Sequence, residues 1–285
     1  MNLKEYPRKE YSINQFTQPP CYDLEGESFF FVMDNGYDYQ LSILDKFTCE
    51  WNIWGQPPKQ EKYSCLKSDD TTYILVHEIE GAELRTGLTY IIDLEQKLVT
   101  ILTCKIGENP KYPLLVTSYY DFGGIRNEYT NAIPIKRHSF TDDLLGTCVQ
   151  WHWRSGMWTQ HAYNSTTYYR ITLPKDSDAS KTLANTVRYT LSSDEPARYV
   201  KIKENMYLFV LTEANSEKMA GDRGRHRSNN MAFLQNYDRM YHVGRTFGNG
   251  MFDGEVRPTR ILFGAFGRPV DLPSEFVDAP NPYIV

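Results

Sequence analysis

The sequence contains a partial copy of itself, and that limits the fold more than any other feature. Gly26 stands ten residues before Gly36, and Gly146 stands ten before Gly156. In both places alternating bulky residues run up to the second glycine and away again, the pattern of a β-hairpin. Further on, KYSCLKSDDTTYILVHEI, ending at Ile79, matches RYVKIKENMYLFVLTEA, ending at Ala214. Tyr63 then corresponds to Tyr199, Lys67 to Lys203 and Glu78 to Glu213, with a one-residue slip before the last pair. The offset grows from 120 to about 136, so roughly sixteen residues are inserted near 176–191. Two homologous units in tandem follow.

Each unit reads as a chain of short strands. The first gives SFFFVMDNGYDYQLSIL, turning at Asn35-Gly36, then TCEWNIW, KYSCLK, TTYILVHEI, GLTYIIDL and KLVTILTCKI. The second gives strands near RYVKIK, MYLFVLTEA, MAFLQNY, MYHVGRTFG and RILFGAFG. With 21 Tyr and 14 Phe the composition favours strands, and only Asp176–Thr190 suggests a helix. An antiparallel meander of this length removes its edges by closing on itself, and about eight strands enclose room for packed side chains or one small ligand. The expected fold is all-β: two tandem lipocalin-like antiparallel barrels. A polar arm occupies residues 1–23, the first barrel 24–107, a Pro-, Gly- and Tyr-rich connection 108–138, and the second barrel 139–285.

The central stretch Leu145–Tyr169 holds three of the five Trp and two of the six His. A two-residue turn at Ser155-Gly156 would set Trp153 opposite Trp158, His152 opposite Thr159, Gln150 opposite His161 and Cys148 opposite Tyr163. One face then carries Val149, Trp151, Trp153 and Trp158, and the other Gln150, His152, His161 and Tyr163. The repeat supplies a ruler. The positions matching Gln150, His152, His161 and Tyr163 are Phe30, Val32, Leu41 and Ile43, an apolar set suited to the first barrel's interior. By that ruler the His face lines the second barrel, giving a greasy first barrel and a polar second lumen. Buried His, Gln and Tyr are costly without partners, which points to a ligand or to catalysis. The opposite reading packs the Trp residues inward and leaves the His residues solvated.

Weaker candidates surround this set. Glu213 shares a face with Tyr207, Phe209 and Leu211, and a carboxyl group on an apolar wall suits general acid or base work; the plainer role is a rim carboxylate in an ion pair. Arg245 could hold an anionic group or pair with Glu213. Tyr168 or Tyr169 could supply a phenol donor, and Arg223–Arg227 (RGRHR) a mouth for phosphate or carboxylate, against the plainer readings of packing and a solvated loop.

Several classes are disfavoured. A net charge of −5 gives no reason to expect nucleic acid or an anionic membrane as partner. No apolar run approaches a membrane span. Five scattered Cys without CxxC spacing read as reduced thiols of a cytoplasmic protein. There is no GxGxxG after a strand, GxxxxGK[ST], HExxH or GxSxG. His152, His161 and His77 do not assemble a metal site, so no cofactor or metal is expected.

The N-terminal half, in its DNG hairpin, its Tyr63-to-Glu78 strand pair and TYIIDLEQKLVT, resembles the molybdenum cofactor biosynthesis protein F family. The C-terminal half resembles that family's second domain through TDDLLGT…W…H-Y…YY, Glu213 and the closing GRTFG…RILFGAFG. The resemblance covers roughly 24–267 and implies two calycin domains. The family name records a pathway and no reaction; carriers, decarboxylases and pericyclases share such barrels.

Two functions are expected from these residues. The first is a cofactor-independent lyase, isomerase or cyclase of secondary metabolism, pericyclase-like, acting on a small apolar or aromatic metabolite in the C-terminal barrel. His161, His152, Tyr163 and Glu213 would move protons, with Gln150, Tyr169, Arg245, Phe209 and Trp153 holding the substrate. The second is a non-catalytic carrier or chaperone, linked through the resemblance to molybdenum cofactor (pterin) biosynthesis. A third role, purely structural, would use an exposed Trp face as a homodimer interface.

Overall fold

The computed structural model describes residues 13–178, 191–214, 228–252 and 255–274. Most of the helix expected over 176–190, the whole of Arg223–Arg227 and the first twelve residues of the arm lie outside them.

The first eight strands are β1 (Ser28–Met33), β2 (Tyr39–Ile43), β3 (Thr48–Ile53), β4 (Lys59–Lys67), β5 (Thr72–Glu78), β6 (Thr86–Asp93), β7 (Leu98–Ile106) and β8 (Val116–Ile125). Each pairs antiparallel with the next, and β8 returns to β1 to close the barrel. The connection expected over 108–138 therefore contains the closing strand. Its periodicity is hidden by Gly123 and Gly124, which face Met33 and Val32 where the ends of the sheet meet. A Cβ on Gly123 would lie 2.5 Å from both Met33 Sδ and the Val32 carbonyl oxygen, so closure itself requires glycine there.

The second unit follows with β9 (Ser139–Phe140), β10 (Thr147–Arg154), β11 (Met157–Tyr163), β12 (Tyr168–Leu173), β13 (Leu191–Lys203), β14 (Met206–Thr212), β15 (Ser228–Asn236), β16 (Tyr241–Phe252), β17 (Glu255–Thr259) and β18 (Leu262–Val270). β10 to β16 run as a meander, and β18 pairs with both β16 and β10, so eight strands close again. β9 and β17 are added outside, on β13 and β16. Two closed eight-stranded antiparallel barrels in tandem are thus present.

The copy seen in the sequence survives in the geometry. Gly26, Gly36, Gly146 and Gly156 all take positive φ, between 75° and 85°. Phe29, Phe31, Met33, Leu41 and Ile43 are buried in the first barrel, and Val149, Trp151, Trp153, His161 and Tyr163, each 120 residues later, in the second. The repeat aligned the right residues, but two of the expected faces were wrong. Phe30 and Val32 lie outside the first barrel; Phe30 packs on Trp54 and under Arg126.

The barrels join through their outer walls. Leu66, Ile74, Val76, Ile91 and Leu102 from the first interlock with Val200, Leu208, Val210, Leu234 and Val243 from the second. Strands at this seam are buried on both faces, which is why TYILVHE and MYLFVLT read as unbroken apolar runs instead of alternating ones. The described part of the arm crosses the seam. Tyr241 donates to the Phe16 carbonyl at 2.7 Å, and the Cys21 amide donates to the Cys65 carbonyl at 2.8 Å. Among the described residues no helix is long and apolar enough to cross a membrane.

Candidate functional site

The central hairpin turns at Ser155-Gly156 as expected, with Arg154 opposite Met157. The next pair is His152 with Trp158, so Trp153 has no partner and forms a β-bulge. That one-residue shift brings together side chains expected on opposite faces. Val149, Trp151 and Trp153 from β10 face inward together with Thr159, His161 and Tyr163 from β11. The two alternative readings of the hairpin are each half realised: the Trp pair is core, and one of its two His is inside with it.

Gln150 and His152, expected in the lumen, lie instead on the outer wall. Gln150 Oε1 accepts from Arg268 Nη2 at 2.7 Å, a structural clamp between β10 and β18. His152 is half-buried and stacks on Trp158 with ring centroids 5.9 Å apart. Arg245, expected to hold the substrate, lies outside the lumen as well. It shares a face with Tyr241, Val243 and Phe247, so its guanidinium points into the seam. There it bonds Thr89 Oγ1, Asn230 Oδ1 and Cys104 Sγ, and Glu213 is not among its partners. Glu213 does share a face with Tyr207, Phe209 and Leu211 but lies half-buried at the barrel end, accepting from Asn229 Nδ2 at 2.9 Å. The five candidates left inside are Trp153, His161, Tyr163, Tyr169 and Phe209.

Around them stand Trp151 and Thr159 of the same hairpin and four residues that the sequence did not single out: Phe233, Gln235, His242 and Phe263. His242 was legible in principle, two residues before the inward Gly244 on β16. Its ring lies 4.3 Å from that of Trp151 and 5.1 Å from that of Trp153. Trp153 and Phe233 touch both imidazoles, reaching His161 at 6.3 and 6.1 Å. Glu195 was hidden in the polar SSDEP run, which proves to be the first half of β13. Its carboxyl group is opposite Tyr169, accepting from Ser193 Oγ at 2.9 Å and from the Ala214 amide at 2.8 Å.

Hydrogen bonds fix much of this interior. Trp153 Nε1 donates to Thr159 Oγ1 at 2.9 Å, and Thr159 lies 3.1 Å from His161 Nε2. An indole N–H only donates, so the arrangement with fewest unpaired groups has Thr159 donating to Nε2 and His161 protonated on Nδ1. That N–H then has no acceptor. Tyr163 accepts from Gln235 Nε2 at 2.8 Å and from Trp151 Nε1 at 3.3 Å. Gln235 Oε1 and both ring nitrogens of His242 are buried without a partner. Four polar atoms on His161, Gln235 and His242 are thus unpaired inside one barrel.

Burial sets the charge of this interior. It pushes His161 down to about 3 and His242 well below the ordinary imidazole range, His161 adding to the second shift. It pushes Tyr163 up to about 12 and Tyr169 well above the usual phenol range, with Glu195 and Glu213 adding to the latter. At neutral pH the imidazoles and phenols are all uncharged. The first barrel is less uniformly greasy than expected. It buries His77, pushed down to about 3 by desolvation and 3.2 Å from the Tyr90 hydroxyl, beside Trp51. Among the described residues no group of three or more His, Cys, Asp or Glu is placed to hold a metal ion.

Comparison with known proteins adds no assignment: no family model matches the chain, and no curated protein matches it.

Proposed function

We propose that the second barrel binds one small, uncharged, largely aromatic metabolite and acts on it without a cofactor, as an isomerase or cyclase. The observation that carries this reading is the set of four unpaired polar atoms on His161, His242 and Gln235. A buried polar group left unpaired costs roughly 1–3 kcal/mol, so four of them consume a large part of an ordinary folding free energy. A ligand that supplies an acceptor to His161 Nδ1–H and complementary groups to His242 and Gln235 recovers that cost. The surrounding rings of Trp151, Trp153, Phe209, Phe233 and Phe263 select a flat apolar body. Those rings fill the lumen, so at least one must turn aside on entry.

The neutral imidazoles also set the chemistry. A histidine whose pKa is near 3 is a poor proton acceptor at neutral pH, so catalysis rests on polarisation by neutral donors and on a folded substrate shape. Such chemistry suits isomerisation or ring closure better than hydrolysis. The same depressed imidazoles favour a second reading, a carrier that returns its ligand unchanged; a pterin carrier, as the resemblance implies, is one form of it. We place the protein in the cytoplasm on either reading.

Native mass spectrometry of the protein purified from its producing cells, followed by denaturing analysis of what is released, tests the binding. A stoichiometric small molecule supports it. Incubation then separates enzyme from carrier by whether that molecule is converted. An empty protein whose Trp fluorescence ignores added neutral aromatic compounds removes both readings.

A further inference from the structure

Away from the lumen, the seam between the barrels gathers three guanidinium groups against one carboxylate. Arg85, in the turn between β5 and β6, binds Glu78 through Nε at 2.9 Å and Nη2 at 2.8 Å and reaches across to the Thr259 carbonyl. Arg245 reaches the opposite way, from β16 of the second barrel to Thr89 and Cys104 of the first, and is only 3% exposed. Arg260, between β17 and β18, lies over β4 and β5 with two long contacts, 3.5 Å to Ser64 Oγ and 3.4 Å to the Val76 carbonyl. The ring of Phe247 sits under Arg85 and near Arg245, at 4.5 and 5.9 Å, packed against Gly87 where a Cβ would not fit.

Glu78 neutralises Arg85. Among the described residues, Arg245 and Arg260 donate hydrogen bonds to hydroxyl, carbonyl, amide and thiol groups and to no carboxylate. Glu61, also buried, is taken up by the Glu80 amide at 2.8 Å. Glu78 also acts on half-buried Arg260, so three guanidinium groups share one carboxylate, and the excess positive charge this leaves in a largely buried seam is expensive. Between them is a void of about 10 Å³ lined by Val76, Glu78, Thr89, Arg245, Phe247 and Arg260, enough for one water-sized species.

We propose that this void binds a single monatomic anion, chloride in the cell, which bridges Arg245 and Arg260 and ties the two barrels together. Charge selects an anion, and the volume excludes sulfate, phosphate and carboxylates. The anion supplies the missing counter-charge where each barrel's arginine enters the other's wall. Its loss leaves like charges facing one another across the seam.

Two measurements on the full chain test this. In thermal unfolding at constant ionic strength, replacing gluconate with about 0.1 M chloride or bromide should raise Tm by roughly 3 °C. Arg260→Gln should abolish that response. Crystals grown in bromide should show an anomalous peak between Arg245 and Arg260, a readout independent of whether the variant folds. A Tm indifferent to halide, an Arg260→Gln protein that keeps the response, or bromide crystals without the peak would each overturn the proposal.

Discussion

Replacing His242 with Leu should stabilise the protein and abolish ligand binding together. Both ring nitrogens of His242 are buried without a partner, each costing roughly 1–3 kcal/mol. Leu keeps an apolar side chain at the site but gives up ring contacts with Trp151, Trp153, Phe233 and Phe263, worth roughly 0.5–1 kcal/mol apiece. The midpoints, about 4 kcal/mol recovered against about 3 lost, leave a gain of about 1 kcal/mol at pH 7.5 by urea unfolding. The pH dependence sharpens the test. Above about pH 6.5 neither the folded nor the unfolded chain carries the proton. Below it the unfolded chain binds a proton that the native barrel refuses, because burial holds His242 far down. Native stability therefore falls with pH, from about 6.5 toward the depressed native value, and by pH 5 this one residue costs about 2 kcal/mol. Leu at 242 removes that loss, so its advantage over wild type should widen by about 2 kcal/mol between pH 7.5 and 5. His77 and His161, both pushed down to about 3, lose like amounts and bring the wild type close to unfolding near pH 5. A His242→Leu protein less stable than wild type at pH 7.5, with an unchanged pH slope, would refute the reasoning. His242 would then be paired and able to take up a proton in the native state.

Other substitutions separate lumen from scaffold. Trp153→Ala should cost about 3–5 kcal/mol in urea unfolding and recover part of it when indole is added, as a void among His161, Phe233 and Phe263 is refilled. Gly244→Ala should cost about 1–3 kcal/mol, since its Cβ would lie 2.3 Å from the Ala232 carbonyl oxygen. His152→Ala, on the outer wall, should leave titration with any lumen ligand unchanged, whereas His161→Leu should weaken it at least about tenfold, the loss of one hydrogen bond. The hydrogen bond with Cys21, and then burial, push the Cys65 thiol well up, while the same bond holds half-buried Cys21 at about 7. Cys21 should therefore be labelled by iodoacetamide well before Cys49, Cys65 or Cys104, as peptide mass analysis would show.

How far the sequence could be read depended on register. Two tandem barrels were legible because repeats, turn glycines and strand composition all agree. The faces were harder. Pairing counted outward from Ser155-Gly156 is right for Arg154 and Met157 and wrong for every later pair, because Trp153 bulges. In the first barrel Asn35-Gly36 lies inside a longer loop, with Phe31 opposite Tyr39. Neither event leaves a mark in residue type, and each moves a strand's partner by one position, enough to exchange inside for outside. Arg245 and Glu195 failed differently. At the seam a strand is buried on both faces, so burial alone cannot tell lumen from interface. β13 begins among residues that read as a polar loop.

The repeat gives the clearest argument about where function resides. Equivalent inward positions hold Leu41 and Ile43 in one barrel, His161 and Tyr163 in the other. Leu and Ile need only contact. His and Tyr at the same depth need partners, and the second barrel supplies Thr159 and Gln235 for some of their polar atoms and leaves others unmet. Packing alone would be served better by the apolar pair the first barrel keeps, so the polar pair is a departure from what the fold requires. Replacing both, as His161→Leu with Tyr163→Phe, should leave a folded protein whose Gln235 amide loses its acceptor. Circular dichroism should show the strand signal retained, and the lumen's response to added aromatic ligands should vanish. If that double variant binds as the wild type does, the departure has some other cause and the site lies elsewhere.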